Sequence, residues 1–135
     1  MHDVLKRLST EHNELEQAMA GIKPRQFRND EGRSRLFRVH DLLVQHTKEE
    51  QQELYPVLEK AASADERIAD RLRRMSEDMK IVTGLAEDFF RKYQQGELRL
   101  IEFATDHGAL LTILKIRLRR EEQTLFPLFE SLSRN

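Results

Sequence analysis

Cysteine is absent from the 135 residues, which excludes disulfides, thiolate zinc sites, iron–sulfur clusters and cysteine nucleophiles. Glycine (5) and proline (3) are scarce, too few for the turns that a sandwich or barrel needs. A bias of charge is missing as well. Lys plus Arg (23) nearly cancel Asp plus Glu (24), leaving a net charge of −1, so there is no electrostatic case for nucleic acid. No stretch approaches a membrane span, and the start from Met1 to Arg7 lacks the apolar core of a secretory signal. The expectation is a soluble, cytoplasmic protein without a membrane partner. What the chain has instead is 35% charged beside 39% hydrophobic residues, a mix suited to amphipathic helices around one real core. A single domain over residues 1–135 is expected.

Three breaks divide the chain into four helical runs. The first holds Gly21, Pro24, Asn29, Asp30 and Gly32; the second, Ala61 to Asp65, offers Ser63 or Asp65 as an N-cap; the third places Gly96 as a helix stop. Each run carries an inward stripe stepping by three or four. The first run gives Leu5, Leu8, His12, Leu15 and Met19. The second gives Leu36, Val39, Leu43, His46, Glu50, Leu54 and Val57. The third gives Ile68, Leu72, Met75, Met79, Val82, Ala86, Phe90 and Tyr93. The fourth gives Phe103, His107, Leu110, Leu114, Arg117, Glu121, Leu125 and Leu128. Short breaks between long helices predict an all-α, antiparallel up-down-up-down four-helix bundle. Pro56 and Pro127 are positioned to bend or end their helices.

Polar residues on these stripes are the anomaly. His12, His46, Glu50, Arg117 and Glu121 stand where apolar side chains belong, and a buried charge needs a partner or a metal. An internal repeat organises them. His46-x3-Glu50-x3-Leu54-Tyr55-Pro56 matches Arg117-x3-Glu121-x3-Leu125-Phe126-Pro127, and the flanking runs align more weakly, setting His12 against Met79. The chain therefore reads as a duplicated helix pair. Residues four apart share a helix face, so His46 and Glu50 can aim at one central point.

This pattern resembles the hemerythrin-like (HHE cation-binding) family over essentially the whole chain. The resemblance implies a four-helix bundle holding non-haem iron, with His12 from the first helix, His46 and Glu50 from the second, and Glu121 from the fourth as metal ligands. Two positions depart. Arg117 stands in the fourth helix's histidine position, and a guanidinium does not ligate metal. The third helix has no histidine, with Met79 at the expected place and Thr83 one turn on. Carried over residue by residue, one metal's ligands are retained and the other's are lost. Two imidazoles with one or two carboxylates suffice for a single Fe(II), Mn(II) or Zn(II) with open positions.

Two versions of the site follow. In one, a single metal, iron above all, occupies the retained half-site, with Arg117, Met79 and Thr83 lining it without ligating. In the other, the chain is a metal-free structural or regulatory bundle in which Arg117 clamps Glu50 and Glu121 in place of the second metal. Arginine beside a cation is opposed by about 4 kcal/mol per unit-charge pair at about 4 Å and an effective dielectric of about 20, which two carboxylates can offset. The resemblance implies a protein that binds or senses dioxygen, nitric oxide, peroxide or iron, rather than an enzyme. A two-histidine carboxylate site can also activate oxygen, but no substrate pocket or acid–base pair is legible. His107, about 15 Å along the helix from Arg117 at 1.5 Å per residue, is expected to be a hydrogen-bonded core histidine. His40 is expected at a stripe edge, and His2 in a disordered terminus.

Overall fold

Three of the helices start where a side chain accepts from a free N–H group of the first turn. The computed structural model describes residues 2–24, 29–94 and 99–133. Helix α1 (Asp3–Ala20) begins at His2, whose Nδ1 accepts from the Val4 amide at 3.1 Å and whose ring sits edge-on to Phe129. His2 is thus a cap, not part of a disordered terminus. Helix α2 (Asp30–Glu49) begins at Asn29, whose Oδ1 accepts from Gly32 N at 2.8 Å. That cap draws Asp30 and Gly32 into the helix and out of the expected break. Of the two candidates before α4 (Glu66–Gln94), Asp65 takes the role, accepting from Arg67 N at 2.9 Å. Ser63 instead donates back to the Lys60 carbonyl. The stop expected at Gly96 lies outside the described residues. Helix α5 (Leu100–Ser133) continues past Pro127, which does not end it.

The second run contains a local change of pitch. After α2 come five residues of π-helix, Glu50–Leu54, and then α3 (Tyr55–Ala62), with Tyr55 N donating to the Glu50 carbonyl. Pro56 has no N–H to offer the preceding turn, and the wider π turn absorbs the mismatch. Buried positions therefore step by four, through His46, Glu50, Leu54 and Leu58. Leu58 takes the inward place expected of Val57, which is exposed.

The result is an all-helical bundle of four rods: α1, the α2–π–α3 unit, α4 and α5. Among the described residues no helix is long and apolar enough to cross a membrane. The α1 stripe is buried as expected at all five positions, Leu5, Leu8, His12, Leu15 and Met19. On α5 the stripe turns slightly: Leu118 and Phe129 are buried, while Arg117 and Leu128 are only half-buried. On α4, Met79 is likewise half-buried between the buried Met75 and Val82.

The apolar side chains fall into two clusters. One gathers Leu15, Met19, Val39, Phe90, Phe103 and Leu114 with their neighbours; the other gathers Leu5, Leu8, Leu54, Leu58, Leu125 and Phe129. Between them, on α1, α2, the π segment and α5, the sequence inserts His12, His46, Glu50 and Glu121. A polar layer thus separates two dry ones. His107 belongs to the first cluster's end, where its Nε2–H donates to the Met19 carbonyl at 2.7 Å, a satisfied core histidine. His40 is partly exposed, stacked on Phe90 and accepting from Gln94.

Candidate metal centre

The polar layer is assembled by three of the rods. His12 comes from mid-α1, His46 from the last turn of α2, Glu50 from the start of the π segment, and Glu121 from α5. Their exposures are 1%, 3%, 4% and 0%, so water cannot satisfy them. One ligand-type atom from each of the four lies within 4.8 Å of all the others. His12 Nε2 is 3.1 Å from Glu121 Oε1 and 3.6 Å from Glu50 Oε1, while His46 Nε2 meets the same Glu50 oxygen. The two imidazole centroids are 4.5 Å apart, edge to face. These are the spacings of groups converging on one small point.

The outer face of each ring is held by a further carboxylate. His12 Nδ1–H donates to Glu122 Oε1 at 2.8 Å, and His46 Nδ1–H donates to Glu11 Oε1 at the same distance. A histidine held at Nδ1 by an acceptor presents Nε2 inward in a fixed orientation, the usual support of metal-binding imidazoles. Neither Glu11 nor Glu122 was singled out by the sequence. The signal is present in the doublets Glu11-His12 and Glu121-Glu122, where the neighbour sits about 100° round the helix, on the flank of the stripe.

Electrostatics follow from the burial. For Glu50, burial raises the carboxyl's pKa, but the close approach of Glu121, His12 and His46 outweighs it and holds the group well below the usual range. Glu121 moves the other way, raised by burial and by the adjacent Glu50. Two carboxyls this close share a proton while one stays ionised. Burial lowers the pKa of both histidines. For His12, the hydrogen bond to Glu121 and the nearby Glu50 reverse this and carry it to about 10; for His46, contact with Glu50 raises it above the ordinary value. The metal-free layer therefore balances itself with imidazolium–carboxylate pairs.

That balance is incomplete. His46 Nε2, Glu50 Oε1 and Glu121 Oε2 are buried without a hydrogen-bond partner; the first two face each other as an ion pair. Orphaned buried acceptors and ring nitrogens are expensive unless something else satisfies them. All three belong to the converging set. The donor set, two imidazole nitrogens with two carboxylates, suits a divalent metal of the Fe, Mn or Zn type.

The remaining expected neighbours separate. Met79 and Thr83 line a cavity of about 590 Å³ that also touches His46 and Glu50. Arg117 does not line it, and its guanidinium pairs with Asp78 of α4 at 2.6 Å. The clamp expected between Arg117 and the carboxylates is not formed. The physical reason is helix phase: Leu118, three residues before Glu121, occupies the inward face, which turns residue 117 toward α4. Tyr55 also borders the cavity, and burial, with the charges of Glu121 and Glu50, keeps its phenol protonated.

Fold and site together define a helical bundle carrying a buried histidine–glutamate cluster of metal-ligating composition. The chain belongs to the hemerythrin family: the model of the hemerythrin HHE cation binding domain matches residues 30–129. The match spans His46, Glu50 and Glu121, while His12 lies before it and joins the group through the fold. No curated protein and no solved structure matches the chain with significance.

Proposed function

We propose that this protein binds one non-haem metal ion, iron in the first place, through His12, His46, Glu50 and Glu121, and serves as a binder or sensor of a small molecule. The observation that carries the reading is the convergence of four buried ligand-type atoms within 4.8 Å, three of the residues holding an unpartnered atom. When bound, iron supplies open coordination positions and a one-electron redox couple. The chain's own part is to hold the two rings by Glu11 and Glu122, to exclude bulk water with the apolar layers on either side, and to lend negative charge from Glu50. Dioxygen, nitric oxide and peroxide all suit such a site.

A single ion is favoured over two. α4 brings Met79 and no histidine to this level, and Arg117 is committed to Asp78. The metal-free alternative, with Arg117 standing in for a second ion, lacks the contact it requires. We read the whole chain as a single domain and the bundle as antiparallel. In support, His12 meets Glu121 while Met19 meets His107, an opposite order along α1 and α5.

The test is elemental analysis of untagged protein before and after anaerobic Fe(II) loading. About one metal per chain, lost in His46→Ala and in Glu50→Ala, is the expected result. A folded chain that takes up none in either state overturns the proposal.

A further inference from the structure

The cavity beside the cluster is far larger than a diatomic ligand requires. Its volume is about 590 Å³, whereas a water molecule's share of the liquid is about 30 Å³, the order of size of a diatomic. Sites for organic molecules run from about 300 to 1,000 Å³.

Its wall has a definite chemistry. Leu43, Val82, Leu114 and Leu118 give an apolar lining contributed by α2, α4 and α5. Tyr55, Ser76, Thr83 and Gln51 add neutral hydroxyl and amide groups, each able to donate and to accept. Toward solvent the charges of Glu59 and Lys80 oppose each other. On the inner side lie His46 and Glu50, whose Nε2 and Oε1 face each other and are buried away from the cavity.

We propose that this cavity is a binding site for an uncharged small organic molecule with an apolar body and one hydroxyl or carbonyl group, a phenol-like compound in chemical class. The apolar lining takes the body, and the polar group meets the hydroxyl and amide groups of Tyr55, Ser76, Thr83 and Gln51. A carboxylate ligand would face Glu50 and Glu59, and a cation would face Lys80, so the wall offers neither an excess of charge. This inference goes beyond the metal assignment and stands without it.

Gly84 provides the means of testing it. It lies on the α4 side of the cavity, and a Cβ added there meets nothing within 4 Å, so a larger side chain is accommodated at the cavity wall without displacing backbone. The experiment is titration of the full chain with 1-naphthol, followed by fluorescence and calorimetry, on metal-free and Fe(II)-loaded samples. Saturable binding of about one naphthol per chain is expected, weakened at least about tenfold by Gly84→Phe, with the metal content unchanged and the thermal melt not lowered, since glycine is a poor helix former. Thr83→Trp, at the same mouth, is expected to act alike. No saturable binding up to about 1 mM, or binding indifferent to both substitutions, overturns the proposal. Metal content measured on the same samples keeps the two readings apart, since a chain without metal that still binds naphthol sinks only the metal assignment.

Discussion

Glu11, the residue before His12 on α1, holds the ring of His46 on α2, its Oε1 lying 2.8 Å from Nδ1. The relation repeats one helix over, where Glu122, the residue after Glu121 on α5, holds His12. Each of these two rods therefore contributes a candidate ligand together with the brace for the next rod's ligand. Loss of such outer partners typically costs about 10–100-fold in metal affinity. Glu11→Gln and Glu122→Gln are each expected to weaken metal binding in that range, by chelator competition, with the fold intact. Unchanged affinity in both would show that the braces serve packing alone.

Arg117→His restores the residue type that the repeat leads one to expect, yet one metal per chain is still expected by elemental analysis. Leu118 fills the inward place and residue 117 faces Asp78. Two metals per chain in this variant would reinstate a dinuclear site and refute the helix phase described above.

The π segment makes an unequal pair of neighbours. Leu58 is 0% exposed and Val57 38%. Leu58→Ala is expected to cost about 2–5 kcal/mol in denaturant unfolding, and Val57→Ala about 0.5 kcal/mol or less. Comparable costs would show that the extra residue of the π turn is not kept in solution.

Metal uptake is expected to release protons. In the metal-free chain the pKa of His12 is raised to about 10, where the hydrogen bond to Glu121 and the nearby Glu50 overcome the lowering effect of burial. A metal takes Nε2 only after its proton leaves, so apparent affinity rises by about tenfold per pH unit for each proton displaced. Calorimetry in buffers of different ionisation enthalpy measures the release; an affinity flat between about pH 6 and 8 contradicts it. The same raised pKa has a consequence for stability. In the metal-free protein the His12 contribution is full below the ordinary histidine value and is lost as pH rises through about 10. Glu50, with its lowered pKa, contributes above the ordinary carboxylate value and loses that contribution as pH falls.

The sequence made the α1 stripe legible without error, because Leu5, Leu8, His12, Leu15 and Met19 follow an undisturbed helical period. The four residues of the cluster were legible for the opposite reason, as polar side chains that break an apolar pattern. What escaped depended on angles finer than a three-or-four step. Arg117 and Leu118 both satisfy that spacing from Glu121, and only packing against α4 decides between them. Val57 and Leu58 are separated by a change of pitch that Pro56 hints at but does not specify. Glu11 and Glu122 sit on stripe flanks, where a solvated face and a brace for a neighbouring helix look the same. The cavity was not legible, since it is a property of the space between helices.

The five residues of π-helix from Glu50 to Leu54 act as a phase coupling between two sections of one rod. Ahead of them His46 sets the angle of the cluster; behind them Leu58 sets the angle of the apolar end. An inserted residue can be carried by a helix only if something downstream has been re-cut to suit it, so the two sections keep separate clocks. Sequence drift in the apolar end can proceed without turning His46 or Glu50, provided that the coupling keeps its length. The same arrangement makes a one-residue deletion there more damaging than most substitutions in either section, because it rotates the entire end by about 100°.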